Sequence, residues 1–438
     1  MDLSIILNEI EKIDCFKRYG KVKKVVGLMI ESQGPEASLG DLCYIYLDEG
    51  KKKRVRAEVV GFREEYLLLM PYTEVSTISP GSIVEATGEP LQIKVGNRLI
   101  GQVIDGCGEL LNGEKLPKGL TNISTNNTPP NPLKRPSITE SIGVGIRSID
   151  SLLTVGKGQR VGIFAGSGVG KSTLMGMIAK QTTADLNVVA LVGERGREVR
   201  EFIERELGEE GLKRSIVVVA TSDQPALMRM KAAYTATTIA EYFRNQGLNV
   251  MFMMDSITRV AMAQREIGLA SGEPPTTKGY TPSVFATLPK LLERTGTNER
   301  GSITAFYTVL VDGDDFDEPI ADTVRGILDG HFILDRSLAN RGHYPAINIL
   351  KSVSRVMNAI ISKEHRLAAE KLRNLLSIYT EAEDLINIGA YKRGSSQEID
   401  EAIQYFPIIT QFLKQDVDEQ TSIEDSIATL ITQFGRGV

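Results

Sequence analysis

The sequence predicts a multidomain chain with a small N-terminal β-barrel, a central α/β domain and a C-terminal α-helical domain. Short apolar strands separated by turns at near-regular spacing fill residues 21–88, which is typical of a small barrel. Residues 140–350 alternate continuous apolar strands with long helical segments, as in a parallel sheet with helices on both faces. Residues 356–438 have mostly helical periodicity.

The predicted domains are residues 1–18, 19–88, 89–355 and 356–438. The first is an amphipathic helix, because its apolar residues recur at helical spacing: Leu3, Ile6, Leu7, Ile10 and Ile13. This stripe either docks on the core of the same chain or binds a partner protein. The first predicted barrel strand is KVKKVVGLMIES, and the central domain begins with an irregular, glycine-rich stretch and a proline-rich connector.

A glycine-rich turn joins a predicted strand to a predicted helix in the segment RVGIFAGSGVGKST. It matches the P-loop pattern G-x-x-x-x-G-K-[ST], except that the first position is Ala165. Glycines let successive N–H groups point inward to cradle phosphate, and the following helix adds the positive end of its dipole. Lys171 would reach the β/γ-phosphates and Ser172 would ligate Mg²⁺. The predicted ATP-binding residues are Gly166, Ser167, Gly168, Val169, Gly170, Lys171, Ser172 and Thr173.

Three further residues lie at or just after the ends of predicted strands. Asp255 ends the apolar strand NVMFMMD, where a carboxylate can hold the Mg²⁺ shell and also cap the next helix. Glu194 can polarise a water for attack on the γ-phosphate, or it pairs with a nearby arginine and only shapes its loop. Three roles stay open for Arg259: it senses the γ-phosphate, supports the Glu194 side chain, or forms a structural salt bridge.

Composition narrows the class of protein further. The 438 residues carry a net charge of −5, and the one dense basic run, KKKR at residues 51–54, follows a predicted hairpin tip, so no nucleic-acid partner is expected. The sequence has no apolar run of about 18 residues and no signal peptide. Its three cysteines are widely spaced and form no metal motif, which suits a reducing cytoplasm.

The segment PAINILKSVS at residues 345–354 matches the signature P-[SAP]-[LIV]-[DNH]-x-x-x-S-x-S of the hexameric α/β-type ATPases, which include the rotary ATP synthases. The chain resembles this family over nearly its whole length. The resemblance implies a central RecA-like P-loop ATPase domain in which Glu194 is the catalytic glutamate. It also implies that Arg355 is an arginine finger donated to a neighbouring subunit, and that Tyr344 stacks on adenine.

Within that family the chain is most similar to the flagellar type III export ATPases, in segments such as GERGREVREFIERELGEEGLKRSIVVVATSDQPALMR. Asp335 departs from relatives, which commonly carry Ser there, but it lies outside the expected site. The resemblance implies a cytoplasmic homohexamer, peripheral at the inner face of the membrane, that feeds substrates into an export gate. A dimeric negative regulator would bind residues 1–18, and a coiled-coil stalk protein would sit in the ring. Export chaperones would dock on the C-terminal region, where residues 387–399 form a loop facing the stalk or the substrates.

Four alternatives stay open at this point. An injectisome ATPase shares most of the matching segments. An ATP synthase catalytic subunit is opposed by the short N-terminal helix and by the matches from Gln264 to Gly296. An RNA-translocating ring helicase would need an aromatic and basic surface in residues 21–88, where no clear stripe occurs. A subunit that binds nucleotide only for structural reasons is opposed by Glu194.

Overall fold

The computed structural model describes residues 17–48, 53–74, 77–311 and 318–435. The helix predicted near the N-terminus and Lys51 and Lys52 of the basic run lie outside these residues. The described residues form a β-barrel, an α/β domain built on one large sheet, and a helical C-terminal region, so the predicted fold class is confirmed.

The barrel consists of antiparallel strands that close on themselves. Its strands are β1 (Arg18–Val26), β2 (Met29–Gln33), β3 (Asp41–Tyr46), β4 (Arg54–Arg63), β5 (Tyr66–Pro71) and β6 (Ile83–Pro90), in the spatial order β1-β2-β5-β4-β3-β6. The single strand predicted for KVKKVVGLMIES is wrong, because the chain reverses at Gly27 and forms two paired strands. Gly27 has a φ of +57°, in the left-handed region that favours glycine.

The central sheet is parallel at its core. The chain supplies β7 (Gln92–Val95), β8 (Val103–Asp105), β9 (Thr121–Ser124), β10 (Arg160–Ala165), β11 (Leu186–Val192), β12 (Ser215–Ala220), β13 (Asn249–Asp255), β14 (Gly296–Thr297), β15 (Ser302–Leu310), β16 (Gly330–Leu334) and β17 (Val353–Ser354). The spatial order is β17-β16-β10-β15-β13-β11-β12-β8, with β14 beside β15, while β7 and β9 form a separate ribbon. Strands β16 through β8 run parallel, and β17 runs antiparallel to β16.

Helices cover both faces of this sheet. They are α1 (Arg147–Leu152), α2 (Lys171–Gln181), α3 (Gly196–Glu201), α4 (Gly208–Lys213), α5 (Ala226–Asn245), α6 (Ile257–Ser271), α7 (Pro282–Leu292), α8 (Pro319–Ile327), α9 (Arg336–Asn340), α10 (Met357–Ile360), α11 (Lys363–Asn387), α12 (Gln397–Leu413) and α13 (Ile423–Phe434), with a π-helical turn (Phe202–Leu207) joining α3 to α4. Side chains of the central strands, such as β11, β13 and β15, alternate between two buried apolar clusters, and the C-terminal helices join one of them. None of the described helices combines the length and apolarity needed to cross a membrane.

The barrel is fixed to the central domain by both apolar and charged contacts. Met70 and Tyr72 of β5 and its following loop belong to the same buried cluster as the helices beside the sheet. Lys231 of α5 lies with its Nζ 2.7 Å from a carboxylate oxygen of Glu58 on β4, and the Tyr72 hydroxyl donates to the same carboxylate. The barrel therefore has a defined orientation on α5.

A buried ion pair ties α5 to the segment after α7. Arg294, whose side chain is 1% exposed, donates through Nε and Nη2 to the two carboxylate oxygens of Glu241 at 2.9 and 2.7 Å. Its remaining donors reach the carbonyl of Thr125 in the connector and the hydroxyl of Thr238. Asn127 adds a hydrogen bond to Glu241 at 2.8 Å, so the connector is an ordered part of the domain.

Replacing Arg294 with alanine should destabilise the chain by about 3–5 kcal/mol, because Glu241 would keep a buried and uncompensated charge. Urea unfolding followed by circular dichroism measures the change. Arg197→Ala is the control, because the Arg197 side chain is 86% exposed in its pair with Glu201, and it should leave the unfolding midpoint unchanged. If both substitutions lowered the free energy of unfolding equally, the stabilising role assigned to the buried pair would be wrong.

Candidate functional site

The strand order gathers the glycine-rich loop, Asp255 and Glu194 at one edge of the sheet. Parallel strands share a common carboxyl edge, and ligands of such sheets bind in the crevice outside it. The glycine-rich loop leaves β10 at this edge, and Asp255 ends β13, which is separated from β10 only by β15. Glu194 follows β11, the next strand beyond β13.

The glycine-rich loop has the backbone that its motif requires. Gly168 and Gly170 have φ angles of +76° and +86°, which glycine adopts without steric cost. Helix α2 begins at Lys171, so the free N–H groups of its first turn lie at the end of the loop. Ser167 and Ser172 are exposed, Val169 is buried, and Thr173 donates to Glu206 at 3.1 Å. This geometry suits a phosphate chain held by backbone N–H groups.

Lys171 and Asp255 are in direct contact across the crevice. The Nζ of Lys171 lies 2.5 Å from Oδ1 of Asp255, and the Thr308 hydroxyl donates to the same oxygen at 2.6 Å. Asp255 is buried, with 4% exposure. Its helix-capping alternative is not realised, since Ser256 accepts the hydrogen bond from the N–H of Arg259 at the start of α6.

Glu194 occupies a buried position beside this pair. Its Oε1 lies 3.7 Å from Nζ of Lys171 and has no hydrogen-bond partner among the residues that the structure describes. Burial, the charge of Asp255 and a hydrogen bond with Glu198 raise the pKa of Glu194 to about 7, against the opposing effect of Lys171. That hydrogen bond also lowers the pKa of Glu198. A buried carboxylate oxygen with no partner points to a polar group that arrives with the ligand.

The alternative for Glu194, a pair with a nearby arginine that only shapes its loop, does not match the observed contacts. Arg195 pairs with Glu198 at 3.7 Å, and Arg197 pairs with Glu201 at 2.9 Å. Both arginines are turned to the surface, with side chains 81% and 86% exposed. Glu194 is therefore left facing Lys171.

Arg259 packs against the loop that carries Glu194. A Cβ atom on Gly193 would lie 2.8 Å from Cβ of Arg259, so only glycine fits there, and its φ of +74° also favours glycine. The Nε of Arg259 is buried without a hydrogen-bond partner, and no described carboxylate forms an ion pair with this residue. The contact that the structure gives to Arg259 is with the Glu194 loop, where its positive charge acts to lower the pKa of Glu194.

Two residues that sit on the glycine-rich loop come from the segment after β16. The Tyr344 ring lies against Gly170, 3.4 Å from where a Cβ would stand, and is 45% exposed. Arg336, which the sequence reasoning missed, places its guanidinium beside Gly166. Its only sequence signal is its position just after the strand that neighbours β10. The Tyr344 carbonyl also accepts from the N–H of Gln415, so the loop after α12 adjoins the site.

Arg355 is not part of this constellation. It follows β17, whose antiparallel direction places it at the amino edge of the sheet, where its N–H donates to the carbonyl of Asp329. The length of β10, about 17 Å at 3.3 Å per residue, separates that edge from the glycine-rich loop. The Arg355 side chain is exposed there and donates to the carbonyl of Arg325 at 3.3 Å, away from the glycine-rich loop of its own chain.

The residues fit a magnesium nucleotide. Mg²⁺ prefers hard oxygen ligands and usually takes one or two from protein, completing its shell with water and phosphate. The Ser172 hydroxyl and the Asp255 carboxylate offer oxygens of this kind, one at the start of α2 and one across the crevice. Together with the loop and the unpartnered oxygen of Glu194, they define a P-loop nucleotide hydrolase.

Comparisons with known proteins place the chain within that class. Models of the ATP synthase alpha/beta family match its β-barrel domain at residues 22–88 and its nucleotide-binding domain at 145–354, and the T3SS EscN ATPase C-terminal domain matches 361–432. The flagellum-specific ATP synthase of Bacillus subtilis (strain 168) is 72% identical over 435 residues, covering 99% of each chain.

Solved structures agree with these matches. The assembled ATPase EscN from the type III secretion system of enteropathogenic E. coli superposes with a TM-score of 0.89, at 46% identity, covering 95% of this chain and 100% of that one. EscN in complex with its central stalk EscO has a TM-score of 0.87 at the same identity and coverage. The chain belongs to the ATP synthase alpha/beta family, in its branch of flagellum-specific and type III secretion ATPases. The resemblance predicted from the sequence is confirmed.

The raised pKa of Glu194 predicts a pH-dependent effect of Glu194→Gln on stability. A carboxyl with a raised pKa adds stability below the ordinary glutamate pKa of about 4.3 and loses it as the pH rises through about 7. Glutamine does not ionise, so the Glu194→Gln variant has no such loss of stability as the pH rises. The melting temperature of Glu194→Gln minus that of the wild type, without nucleotide, should therefore increase over this window. Glu204→Gln, on the exposed part of the same segment, is the control, and a constant difference for Glu194→Gln would contradict the buried carboxyl.

Proposed function

We propose that this chain is the ATPase of a flagellar type III protein export apparatus. It hydrolyses ATP in a homohexameric ring, and the cycle drives chaperone release and the entry of flagellar substrates into the export gate. The observation that carries the proposal is the buried cluster of Lys171, Glu194 and Asp255 beside the glycine-rich loop. The full-length similarity to a flagellum-specific ATP synthase supports the choice of machine over an injectisome ATPase or an ATP synthase subunit.

In the proposed reaction each residue has a separate task. The Ser172 hydroxyl and the Asp255 carboxylate would hold Mg²⁺, which would supply positive charge to the phosphates. Lys171 leaves Asp255 to bind the β/γ-phosphates. Glu194 in its ionised form holds a water in line with the γ-phosphate and takes its proton at Oε1, the oxygen without a partner in the structure. Arg259 holds the Glu194 loop from behind.

The remaining contacts come from Tyr344 and from a neighbouring subunit. Tyr344, half-exposed against the loop, stacks on the adenine. Arg355 reaches the γ-phosphate of the adjacent subunit and stabilises the charge of the transition state, a contribution of about 10³–10⁵ in rate. The position of Arg355 at the opposite edge of the sheet from its own loop supports this assignment. A ring of identical chains supplies such head-to-tail interfaces.

The partners follow from the proposed machine. Residues 1–18 bind a dimeric negative regulator, residues 19–88 make the barrel contacts of the ring, and residues 89–355 and 356–438 form the catalytic and C-terminal domains. A coiled-coil stalk protein sits in the ring, as EscO is the central stalk of EscN. Export chaperones and substrates dock on the C-terminal region, where Ile388 is 75% exposed after α11. The enzyme works in the cytoplasm, peripherally at the inner face of the membrane, without nucleic acid.

Mixing two inactive variants tests whether the active site spans two subunits. Glu194→Gln should bind ATP and hydrolyse it very slowly, and Arg355→Ala should also be nearly inactive. In mixed rings some interfaces combine an intact Glu194 with an intact Arg355, so random mixing should recover about a quarter of the wild-type rate. The measurement is phosphate release after co-assembly of differently tagged variants.

The control mixes Lys171→Ala with Glu194→Gln. Both defects lie in the same half of the site, so no interface with one full set of groups forms and no activity should return. Failure of the first pair to recover in rings shown to contain both tags would contradict the position of Arg355 in the neighbouring site. Recovery in the control pair would mean that the two halves of the site are assigned incorrectly.

Affinity purification from the native cytoplasm tests the choice of machine and the N-terminal docking site. The full chain should capture flagellar regulator and chaperone subunits, identified by mass spectrometry, and a chain lacking residues 1–18 should lose only the regulator. The double variant Ile6→Asp, Ile10→Asp is the matched control that disrupts the apolar stripe at full length. Capture of injectisome components would leave the proposed ATPase mechanism in place and would assign the chain to an injectisome instead of a flagellum. Rotary ATP synthase subunits would refute the export function.

A further inference from the structure

Thr308 has an unusual position for a polar side chain. It lies in β15, between the strand that leads into the glycine-rich loop and the strand that ends at Asp255. The side chain is fully buried, and its hydroxyl donates to Oδ1 of Asp255 at 2.6 Å. The only other acceptor that it reaches among the described residues is the carbonyl of Met254, at the longer distance of 3.3 Å.

Packing alone does not explain a hydroxyl at this position. Phe306, two residues earlier on the same face of the strand, is buried in an apolar cluster, and valine has the same shape as threonine. Burying a hydroxyl is unfavourable unless it is hydrogen-bonded. The short contact with a carboxylate is the stronger of its two bonds, since hydrogen bonds to ionised groups are about twice as strong as neutral ones.

The Asp255 carboxylate has two partners on the same oxygen. Oδ1 accepts from Nζ of Lys171 at 2.5 Å and from Thr308 at 2.6 Å, which leaves Oδ2 unengaged by the described hydrogen bonds. The ammonium of Lys171 cannot keep its close contact with Asp255 while it binds the nucleotide phosphates. When its ammonium turns to the phosphates, Thr308 is the group that still fixes the orientation of this carboxylate.

We propose that Thr308 is a positioning residue that holds Asp255 ready for the Mg²⁺ shell while Lys171 serves the nucleotide. The hydroxyl fixes Oδ1, so Oδ2 would stay free to serve the Mg²⁺ shell when the metal binds. This inference rests on the proposed roles of Lys171 and Asp255 and adds a residue that touches neither metal nor nucleotide. Its effect is therefore on the Mg²⁺ dependence of the site and not on nucleotide binding without metal.

The test compares Thr308→Val, which keeps the shape and removes the hydroxyl, with Thr308→Ser, which keeps the hydroxyl. The readout is a Mg²⁺ titration of fluorescent ADP binding, which needs no turnover. Loss of a hydrogen bond to a charged group should raise the Mg²⁺ concentration at half-saturation about tenfold in Thr308→Val. Thr308→Ser should stay close to the wild type, and ADP binding in the presence of a chelator should be unchanged in both.

Two controls separate this inference from general damage and from the proposed function. Thr304→Val removes a buried hydroxyl at the amino end of the same strand, where it accepts from the N–H of Gly158, and should leave the Mg²⁺ titration unchanged. Thr308→Ala removes the same hydroxyl without a branched methyl group and should reproduce Thr308→Val. Circular dichroism confirms that each variant is folded.

The outcomes are distinguishable. A wild-type Mg²⁺ titration for Thr308→Val and Thr308→Ala, or an equal loss in Thr308→Ser, would overturn the positioning role. Asp255→Asn tests the underlying assignment separately. If it leaves the Mg²⁺ titration unchanged, the metal role proposed for Asp255 is wrong. If Asp255→Asn shifts the titration and Thr308→Val does not, only the inference about Thr308 fails.

Discussion

The common carboxyl edge of the parallel sheet is the constraint on which the site depends. Lys171, Asp255 and Glu194 come from three separate strand–helix units, and parallel pairing brings the ends of their strands to one line. A local sequence match can specify a loop that binds phosphate. It cannot by itself put a carboxylate opposite that loop, and here β15 sets the distance by separating β10 from β13.

That edge concentrates charge in a buried space, where Asp255 and Glu194 share Lys171 and Arg259 lies against the Glu194 loop. The carboxylates of Glu194 and Asp255 both face the ammonium of Lys171. The Nζ of Lys171 lies 2.5 Å from Asp255 and 3.7 Å from Glu194. Burial and the charge of Asp255 raise the pKa of Glu194, and the more distant Lys171 opposes them only in part. The arrangement gives the two carboxylates different chemistry at the same pH, one firmly paired and one able to exchange a proton near neutrality.

Sequence reasoning found the residues whose signals are local. The glycine-rich loop has a spacing pattern, and Asp255 and Glu194 stand at the ends of strongly apolar strands. It missed Thr308 and Arg336 because their importance comes from which strands are neighbours. β15 and β16 flank β10 in space although they follow it by more than a hundred residues, and one sequence does not reveal that order. The barrel turn at Gly27 was missed for the opposite reason, since apolar residues continue through it and mask a purely local break.

The signature segment shows how the two edges of the sheet are connected. The Ser354 hydroxyl donates to the carbonyl of Thr154 and accepts from Gln159, which immediately precedes β10. Arg355, the next residue, is thus anchored to the amino end of the strand whose carboxyl end carries the phosphate loop. In the proposed ring, β10 would then connect two active sites. Arg355, near its amino end, would enter the site of one neighbouring subunit, and the phosphate loop at its carboxyl end would receive an arginine from the other. Because close-packed interiors have low compressibility and transmit strain, β10 is the direct physical connection between the two edges.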